Sequence, residues 1–280
     1  MMRNFHRIVW PLAASCSMLA TPAMAQDARD THFDGPYIGV SGGVTMQNSR
    51  PESLVFDRNG DGNYNDQVST STGANAFGPG FCDGYGKSAG RTVACENDRN
   101  RADYSVRIGV DKRYGNVVGG VLLEVNKNNA TDATTAYSIT PASYTIARGL
   151  DYGIAARGRL GFTPNGGILF YGTGGVTYSK LKHNFTTTNT SNTFTEVNDG
   201  KMVWGWQAGG GAEIMVTDHV SLGVEYLYNR YRDSKYSVLV GQGSAAATNP
   251  FVLGGGTTSI RQNNKNYNVQ AVRATLGFQF

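Results

Sequence analysis

The chain has 280 residues, of which 16% are charged, and its formal net charge at pH 7 is +4. Its Lys and Arg residues occur singly rather than in clusters, which argues against a nucleic-acid partner. After the N-terminal segment, no apolar run approaches the roughly 20 residues that a transmembrane helix requires, so a helical membrane protein is excluded.

The N-terminal segment has the pattern of a secretory signal peptide. A basic stretch over residues 1–7 is followed by an apolar run over residues 8–19 and by an Ala-Met-Ala sequence ending at Ala25. The apolar run is too short to span a bilayer, and the pattern predicts cleavage after Ala25. Lipidation at Cys16 is the weaker alternative, because the residues before it match a lipoprotein signal poorly. We therefore expect residues 26–280 to form the mature domain.

Eight segments of the mature chain alternate between apolar and polar residues. Successive side chains of a β-strand point to opposite faces, and a strand of about 9–11 residues is long enough to cross a membrane. The alternation therefore predicts eight strands, each with one apolar face. They cover residues 37–46, 102–113, 117–126, 152–162, 168–179, 202–215, 220–231 and 268–280.

The connections between these strands alternate between long and short. The long ones cover residues 47–101, 127–149, 180–201 and 232–267, and the short ones lie at 114–116, 163–167 and 216–219. Bacterial outer-membrane barrels have short periplasmic turns and longer extracellular loops. The order predicts an all-β fold, an eight-stranded antiparallel transmembrane β-barrel with long extracellular loops and both termini in the periplasm.

The apolar strand faces are predicted to point outward to lipid. They carry Tyr and Trp near the strand ends, as expected for aromatic girdles at the two membrane interfaces. The charged faces also carry many small residues, which suits a crowded interior. The chain ends with apolar residues at every second position, Leu276, Phe278 and Phe280.

The inward faces then hold four cations and four anions. An eight-stranded barrel has an interior just wide enough for side chains, and buried charges must pair because isolated ones are costly. A closed core of paired charges is the main interpretation, and a gated narrow pore is the alternative. A catalytic carboxylate pair is a third, but no Ser/His/Asp set or substrate cleft accompanies it, so no enzyme is expected. The predicted interior residues are Arg107, Asp111, Glu124, Arg157, Arg159, Glu213, Glu225 and Arg273.

Two cysteines remain after removal of the signal peptide, Cys82 and Cys95. An even pair in an exported protein predicts a disulfide. A metal site is the alternative, but no histidine lies near them in the sequence.

The first long connection contains a cluster of Asp, Asn and Gly that resembles the first half of a calcium-binding loop. Oxygen ligands at alternate positions suit a hard cation, and Gly permits the sharp bend. The twelfth position is Val68, so the usual acidic ligand is missing unless Asp66 replaces it. An ordinary turn cluster explains the same composition. The predicted calcium ligands are Asp57, Asn59, Asp61, Asn63 and Asp66, and no other cofactor is expected.

Two predicted hairpins carry motifs that resemble a known family. The first contains ARGRLGF at 156–162 and YGTGGVTY at 171–178, and the second contains GWQAGGGAE at 205–213 and VEYLY at 224–228. With GPYIGV at 35–40 and a terminal Phe, the sequence resembles the porin-family outer-membrane β-barrel surface antigens, relatives of the outer-membrane protein A transmembrane domain.

The resemblance implies a barrel in the bacterial outer membrane, in contact with lipid and lipopolysaccharide. It also implies insertion by the barrel assembly machinery, which reads the C-terminal aromatic of the signal formed by Leu276, Phe278 and Phe280. Members of the family include envelope-stabilising antigens, adhesins, small porins and some haem binders. We expect a structural and surface-interaction role, with an unidentified ligand bound through the loops. A narrow diffusion channel for small solutes is the alternative.

Overall fold

The computed structural model describes residues 32–47, 52–91, 95–96, 98, 100–164, 166–253 and 255–280. The predicted cleavage site after Ala25 lies outside them. Within these residues no helix has the length and apolar character needed to cross a membrane. The strands are β1 (Gly35–Gln47), β2 (Leu54–Asp57), β3 (Gly80–Asp83), β4 (Arg101–Tyr114), β5 (Val117–Asn128), β6 (Thr131–Ser138), β7 (Ala142–Phe162), β8 (Ile168–Thr187), β9 (Thr193–Val197), β10 (Met202–Met215), β11 (Val220–Arg232), β12 (Ser237–Gly241), β13 (Thr258–Gln262) and β14 (Asn266–Gln279).

Eight of these strands form a closed antiparallel barrel. They follow one another in the order β1-β4-β5-β7-β8-β10-β11-β14, and β14 pairs with β1 to close the ring. Each of the eight predicted strands overlaps one strand of the barrel, so the predicted number and order are confirmed. The three short turns lie together at one end, here called the turn end, and the four long connections lie at the other.

The outer face of the barrel is apolar because of the period-two alternation. In β4, for example, Val106 and Ile108 are 52% and 55% exposed, whereas Arg107 between them is 2% exposed. Exposed aromatic side chains border this apolar surface at both ends, as expected of interfacial girdles. They include Tyr104, Tyr152, Tyr178 and Trp204 at the end of the long connections, and Tyr114, Phe162, Phe170 and Phe280 at the turn end.

The four long connections fold into one ordered structure, here called the cap, formed by the described residues of 52–100, 129–150, 181–201 and 233–265. Strands β7 and β8 continue past the barrel into the cap, and β6 and β3 extend the sheet from the edge of β7. A second sheet has the order β2-β13-β12-β9 and draws its strands from the first, third and fourth connections.

The cap has its own hydrophobic core, built from all four connections. Phe56 stacks on Phe77 with ring centroids 4.5 Å apart, and Phe251 meets Tyr144 edge to face at 5.5 Å. Sequence periodicity predicted these regions only as long loops. Their strands are four to eight residues long. Apart from the hairpin of β6 with the start of β7, they pair across sequence distances too large for a local pattern to identify.

Strand β7 passes from cap to barrel at an irregularity in its pairing with β8. Leu150 pairs with Leu181, whereas the next pair is Gly153 with Ser179, so two residues on β7 lack partners there. A bulge of this kind bends a strand and increases its local twist. The cap side of β7 pairs with β6 and the barrel side pairs with β5.

Candidate functional sites in the barrel interior and the cap

The structure brings all eight predicted interior charges together inside the barrel. The pairing of neighbouring strands places opposite charges side by side. Arg107 lies opposite Glu124 on β5, and Glu225 lies opposite Arg273 on β14. Each guanidinium contacts at least two carboxylates. The eight are Arg107, Asp111, Glu124, Arg157, Arg159, Glu213, Glu225 and Arg273.

The part of the network nearest the turn end is centred on Arg159. Its Nε donates to Asp111 Oδ1 at 2.8 Å, and its Nη1 lies 3.1 Å from Glu213 Oε1. The guanidinium carbon lies 4.6 Å from the Tyr37 ring centroid and 5.3 Å from that of Tyr171. Guanidinium groups are well suited to this combination of paired hydrogen bonds and aromatic stacking. Arg107 Nη2 lies 2.9 Å from the same Glu213 oxygen, so Arg107 and Arg159 share this carboxylate.

The middle of the network connects Arg157 to two carboxylates from different strands. Arg157 Nη2 lies 2.5 Å from Glu124 Oε2, and its Nη1 lies 3.0 Å from Glu225 Oε2. The same Glu225 oxygen accepts from the Tyr171 hydroxyl at 3.1 Å. Hydrogen bonds in which the donor or acceptor is charged are stronger than those between neutral groups.

A ninth charge, Asp103, was missed by the sequence analysis. Arg273 Nε lies 2.5 Å from Asp103 Oδ1, while its Nη1 lies 2.8 Å from Glu124 Oε1. Asp103 lies two residues before the inward-facing Ser105 on the same strand face, so the alternation that identified Arg107 also includes it. The network therefore holds five carboxylates and four guanidinium groups.

The interior at this level is filled by side chains. All nine charged residues are at most 5% exposed. A Cβ on the inward-facing Gly120 would overlap the Asp111 carboxylate, so the glycine leaves the room that this ion pair occupies. Gln207 is 1% exposed, and neither polar atom of its side chain has a hydrogen-bond partner.

A second charge network lies in the cap and is centred on Arg148. Its Nε donates to Asp132 at 2.7 Å, its Nη2 to Glu52 at 3.2 Å, and its Nη1 to the Asn264 carbonyl oxygen at 2.7 Å. Its Nη1 also lies 3.4 Å from Asp233. One guanidinium on β7 therefore connects segments of the first, second and fourth long connections. Sequence analysis gave no signal for it, because Arg148 lies alone in a region predicted as a loop.

The third connection joins this network through His183. Its Nε2 lies 3.1 Å from Asp233 Oδ2, and its ring stacks on Tyr236 at 3.8 Å. Burial opposes ionisation of Asp233, but His183 and Arg148 outweigh it and hold the pKa of this carboxyl below its usual range. Burial raises the pKa of Glu52, and Arg148 only partly offsets this effect.

Three carboxylates of the cap converge beside the disulfide. Cys82 and Cys95 are bonded, with their Cα atoms 6.3 Å apart, as the sequence predicted. Carboxylate oxygens of Asp83, Asp98 and Asp132 lie within 4.8 Å of one another. Burial, followed by repulsion from the other two, raises the pKa of Asp98 to about 7. Such oxygens are ligands for hard cations, but one oxygen of Asp132 already accepts from Arg148.

The predicted calcium loop has its oxygens bonded to its own backbone. Asp57 accepts from the amides of Gly60 and Gly62 at 2.8 and 2.9 Å. The hydrogen bond from the Asn63 amide to Asp61 lowers the pKa of Asp61. Turns of this kind form without a metal, so calcium binding stays a prediction. The remaining acceptors are Asn59 for the Asp61 amide and Asp66 for the Arg58 amide.

The C-terminal residues point outward from β14 and its end. Leu276 and Phe278 are each 45% exposed and Phe280 is 71% exposed, so they lie on the apolar outer surface. The Phe278 and Phe280 rings meet edge to face at 5.3 Å. A role for these residues as an assembly signal stays a prediction.

Comparisons with known proteins agree with this architecture. A family model described as outer membrane protein beta-barrel domain matches residues 12–280. Two proteins described as 31 kDa outer-membrane immunogenic protein, from Brucella melitensis and Brucella suis, are each 27% identical over 230 residues, covering 78% of this chain and 84% of the relative.

Among solved structures, the outer membrane protein OprG from Pseudomonas aeruginosa is similar with a TM-score of 0.50. The superposition covers 90% of this chain and 98% of that chain, at 13% sequence identity. At this identity the similarity establishes the fold alone.

Proposed function

The chain belongs to the outer membrane protein β-barrel domain family, and we propose that its barrel is a closed anchor that presents the cap for contacts at the cell surface. The role is structural and interactive rather than catalytic. The observation that carries the proposal is the single hydrophobic core shared by all four long connections, which gives the cap an ordered surface.

The barrel interior supports a closed anchor. The charged side chains that cross it are at most 5% exposed and come from six strands that their ion pairs connect. Moving one of them to admit a solute would leave its partner unpaired, which is costly for a buried charge. The interior therefore favours an anchor over a diffusion channel.

The connection lengths support an orientation with the cap outside the cell. Short turns in barrels of this class face the periplasm, and here the turn end also holds both ends of the described chain. The Phe33 amide donates to Gln279 Oε1, and the Phe280 amide donates to the Pro36 carbonyl oxygen. On this arrangement both termini are periplasmic. The Brucella relatives are described as immunogenic, which is consistent with a surface-exposed cap.

Labelling of intact cells tests the orientation. Ser244→Cys places a thiol on the exposed surface of the cap, and Asp218→Cys places one in a turn at the opposite end. A membrane-impermeant maleimide is expected to label the first variant in intact cells and the second only after the outer membrane is permeabilised. The reverse result would contradict the proposal.

Capture experiments test the interaction role. Wild-type barrel in detergent is incubated with purified surface glycans and proteins, in parallel with Arg148→Met, which is expected to loosen the cap. A cap ligand is expected to bind the wild type more strongly than the variant. A ligand that bound both equally would not use the ordered cap, and this part of the proposal would then be wrong.

A narrow diffusion channel remains a second candidate, favoured by the unpartnered side chain of Gln207. This polar group would interact with water, and such water could form part of a path along the barrel. Planar-bilayer recordings separate the two functions. A closed anchor gives no steady current, whereas reproducible conductance that changed in Gln207→Leu would favour the channel.

A further inference from the structure

A groove lies where the barrel meets the cap on the outer side of β8, β10 and β11. This junction groove encloses about 770 Å³. It combines two aromatic side chains from the barrel with three cations and one carboxylate, in a small region that the cap partly covers. The residues used here are Tyr178, Lys201, Trp204, Arg232, Asp233 and Lys235.

Strand register places the groove at the upper limit of the apolar outer face. Trp204 lies opposite Tyr178, their ring centroids are 4.8 Å apart, and Trp204 is 65% exposed. Toward the turn end, the outward positions of β10 continue with Trp206 and then small and apolar residues. Exposed Tyr and Trp rings mark the level where hydrocarbon gives way to headgroups. The groove therefore lies at the headgroup level.

Among the residues that the structure describes, the three cations of the groove have no counter-ion. All three are exposed, and none of them forms an ion pair in the described part of the chain. Elsewhere along the boundary between barrel and cap, Lys127 and Lys182 share Asp151. The one carboxylate of the groove, Asp233, is already bonded to Arg148 and His183. The groove thus presents excess positive charge directly above an aromatic floor.

We infer that the junction groove binds the phosphorylated headgroup of a glycolipid in the surrounding leaflet. Phosphate oxygens accept charge-assisted hydrogen bonds from Lys and Arg, and Arg232, Lys201 and Lys235 surround the space. Trp204 and Tyr178 then contact the upper acyl chains and the sugar ring, which suits their apolar faces. The assignment to the outer leaflet, whose lipids face the cap, rests on the proposed orientation.

A lipid fits the groove better than a free anion. The floor is made of exposed aromatic rings that a phosphate ion would leave in contact with water or membrane, whereas a lipid covers them. The groove is also open on its membrane side, since Trp204 and Tyr178 belong to the outward face of the barrel.

The test uses the full-length refolded barrel in phosphatidylcholine nanodiscs and two probes, bisphosphorylated lipid A and the same lipid with both phosphates removed. Each Lys or Arg near an anionic membrane surface contributes about a fivefold gain in affinity. The wild type is therefore expected to prefer the phosphorylated probe by about a hundredfold, and Lys201→Glu/Arg232→Glu/Lys235→Glu is expected to remove the preference.

Two variants serve as controls. Lys87→Glu reverses an exposed charge in the cap away from the groove and is expected to retain the preference. Lys201→Arg/Lys235→Arg keeps the charge and is expected to retain it as well. Heat-modifiable migration on gels verifies that each variant has folded.

Several outcomes would overturn the inference. These are equal binding of the two probes by the wild type, an unchanged preference in the triple variant, and full competition by inorganic phosphate or by phosphatidylglycerol. Labelling that placed the cap in the periplasm would refute the proposed function but would leave the measured preference unchanged. The two failures can therefore be distinguished.

Discussion

Replacement of Arg148 by Met is expected to open the cap while leaving the barrel intact. The side chain is 1% exposed, and it forms ion pairs with Glu52, Asp132 and Asp233, which are 7%, 11% and 9% exposed. Met keeps much of the apolar volume but removes all of these hydrogen bonds. Three carboxylates from three separate connections would then repel one another in a site with little water.

The size of the expected destabilisation follows from the burial of the three carboxylates that Arg148 contacts. Removing one member of a buried ion pair costs about 3–5 kcal/mol in soluble proteins, and the slight exposure of the three acids favours the lower figure. A loss of about 3 kcal/mol increases the population of the open cap roughly 150-fold, at about 1.4 kcal/mol per factor of ten.

Hydrogen exchange and limited proteolysis of the refolded protein measure this population. Amides of β6, β12 and β13 are expected to exchange faster in Arg148→Met, and proteases are expected to cut in the cap. Amides of β4 and β5, and heat-modifiable migration, are expected to remain unchanged. Lys182→Met is the matched control, because its ion pair with Asp151 is 56% exposed on the Lys side and such pairs contribute at most about 1 kcal/mol. Unchanged cap protection in Arg148→Met would refute the reasoning.

Three further predictions concern the interior, the acidic cluster and the C-terminus. In denaturant unfolding, the double variant Arg159→Gln/Asp111→Asn is expected to lose less unfolding free energy than the two single variants lose in sum, because the residues are in direct contact. Additive losses would contradict the pairing. Asp98 holds its proton up to about pH 7 in the folded cap but loses it near pH 4 when unfolded. Cap stability is therefore expected to fall as the pH rises from about 4 to 7. Proteolysis rates of the cap are expected to lose this pH dependence in Asp98→Asn, and an unaltered profile would show that another group titrates. Phe280→Ser is expected to lower the amount of protein in isolated outer membranes while Gln26 remains the first residue by mass spectrometry; unchanged amounts would mean that Phe280 is only a girdle residue.

The barrel could be predicted from the sequence because its information is local. Alternation within one strand decides which side chains face inward, so Arg107, Glu124 and Arg273 were identified before their partners were known. Asp103 was available from the same alternation and was overlooked because it lies near the strand end. Six of the eight strands were predicted to within two residues at each end for the same reason, whereas β7 begins ten residues earlier and β8 ends eight residues later than predicted, because both continue into the cap.

The cap could not be predicted because its information is nonlocal. Strand β12 pairs with β9 on one side and β13 on the other, and none of these exceeds five residues. In the sequence, Arg148 is an isolated charge in a segment predicted as a loop. Only the structure shows that β7 extends beyond the barrel and carries Arg148 into the cap. The junction groove depends on both parts of the molecule. Lys201 and Lys235 lie in the cap, whose fold the sequence did not predict, whereas the outward position of Trp204 follows from the alternation along β10.

The two parts of the molecule place charge and apolar groups in opposite positions, and strand β7 contains both arrangements. In the barrel half, Ile154 is 53% exposed and Arg157 is 2% exposed, whereas in the cap half Ile146 is fully buried. Lipid around the barrel makes an apolar exterior favourable and leaves the polar side chains to the interior, where the charges are paired because an unpaired buried charge is costly. Water around the cap makes burial of apolar side chains the driving force there. The change occurs between Leu150 and Gly153, at the bulge and beside the exposed Tyr152. One irregularity in one strand therefore marks the level at which the surroundings change from water to lipid. The junction groove lies at the same level and begins on the neighbouring strand, β8.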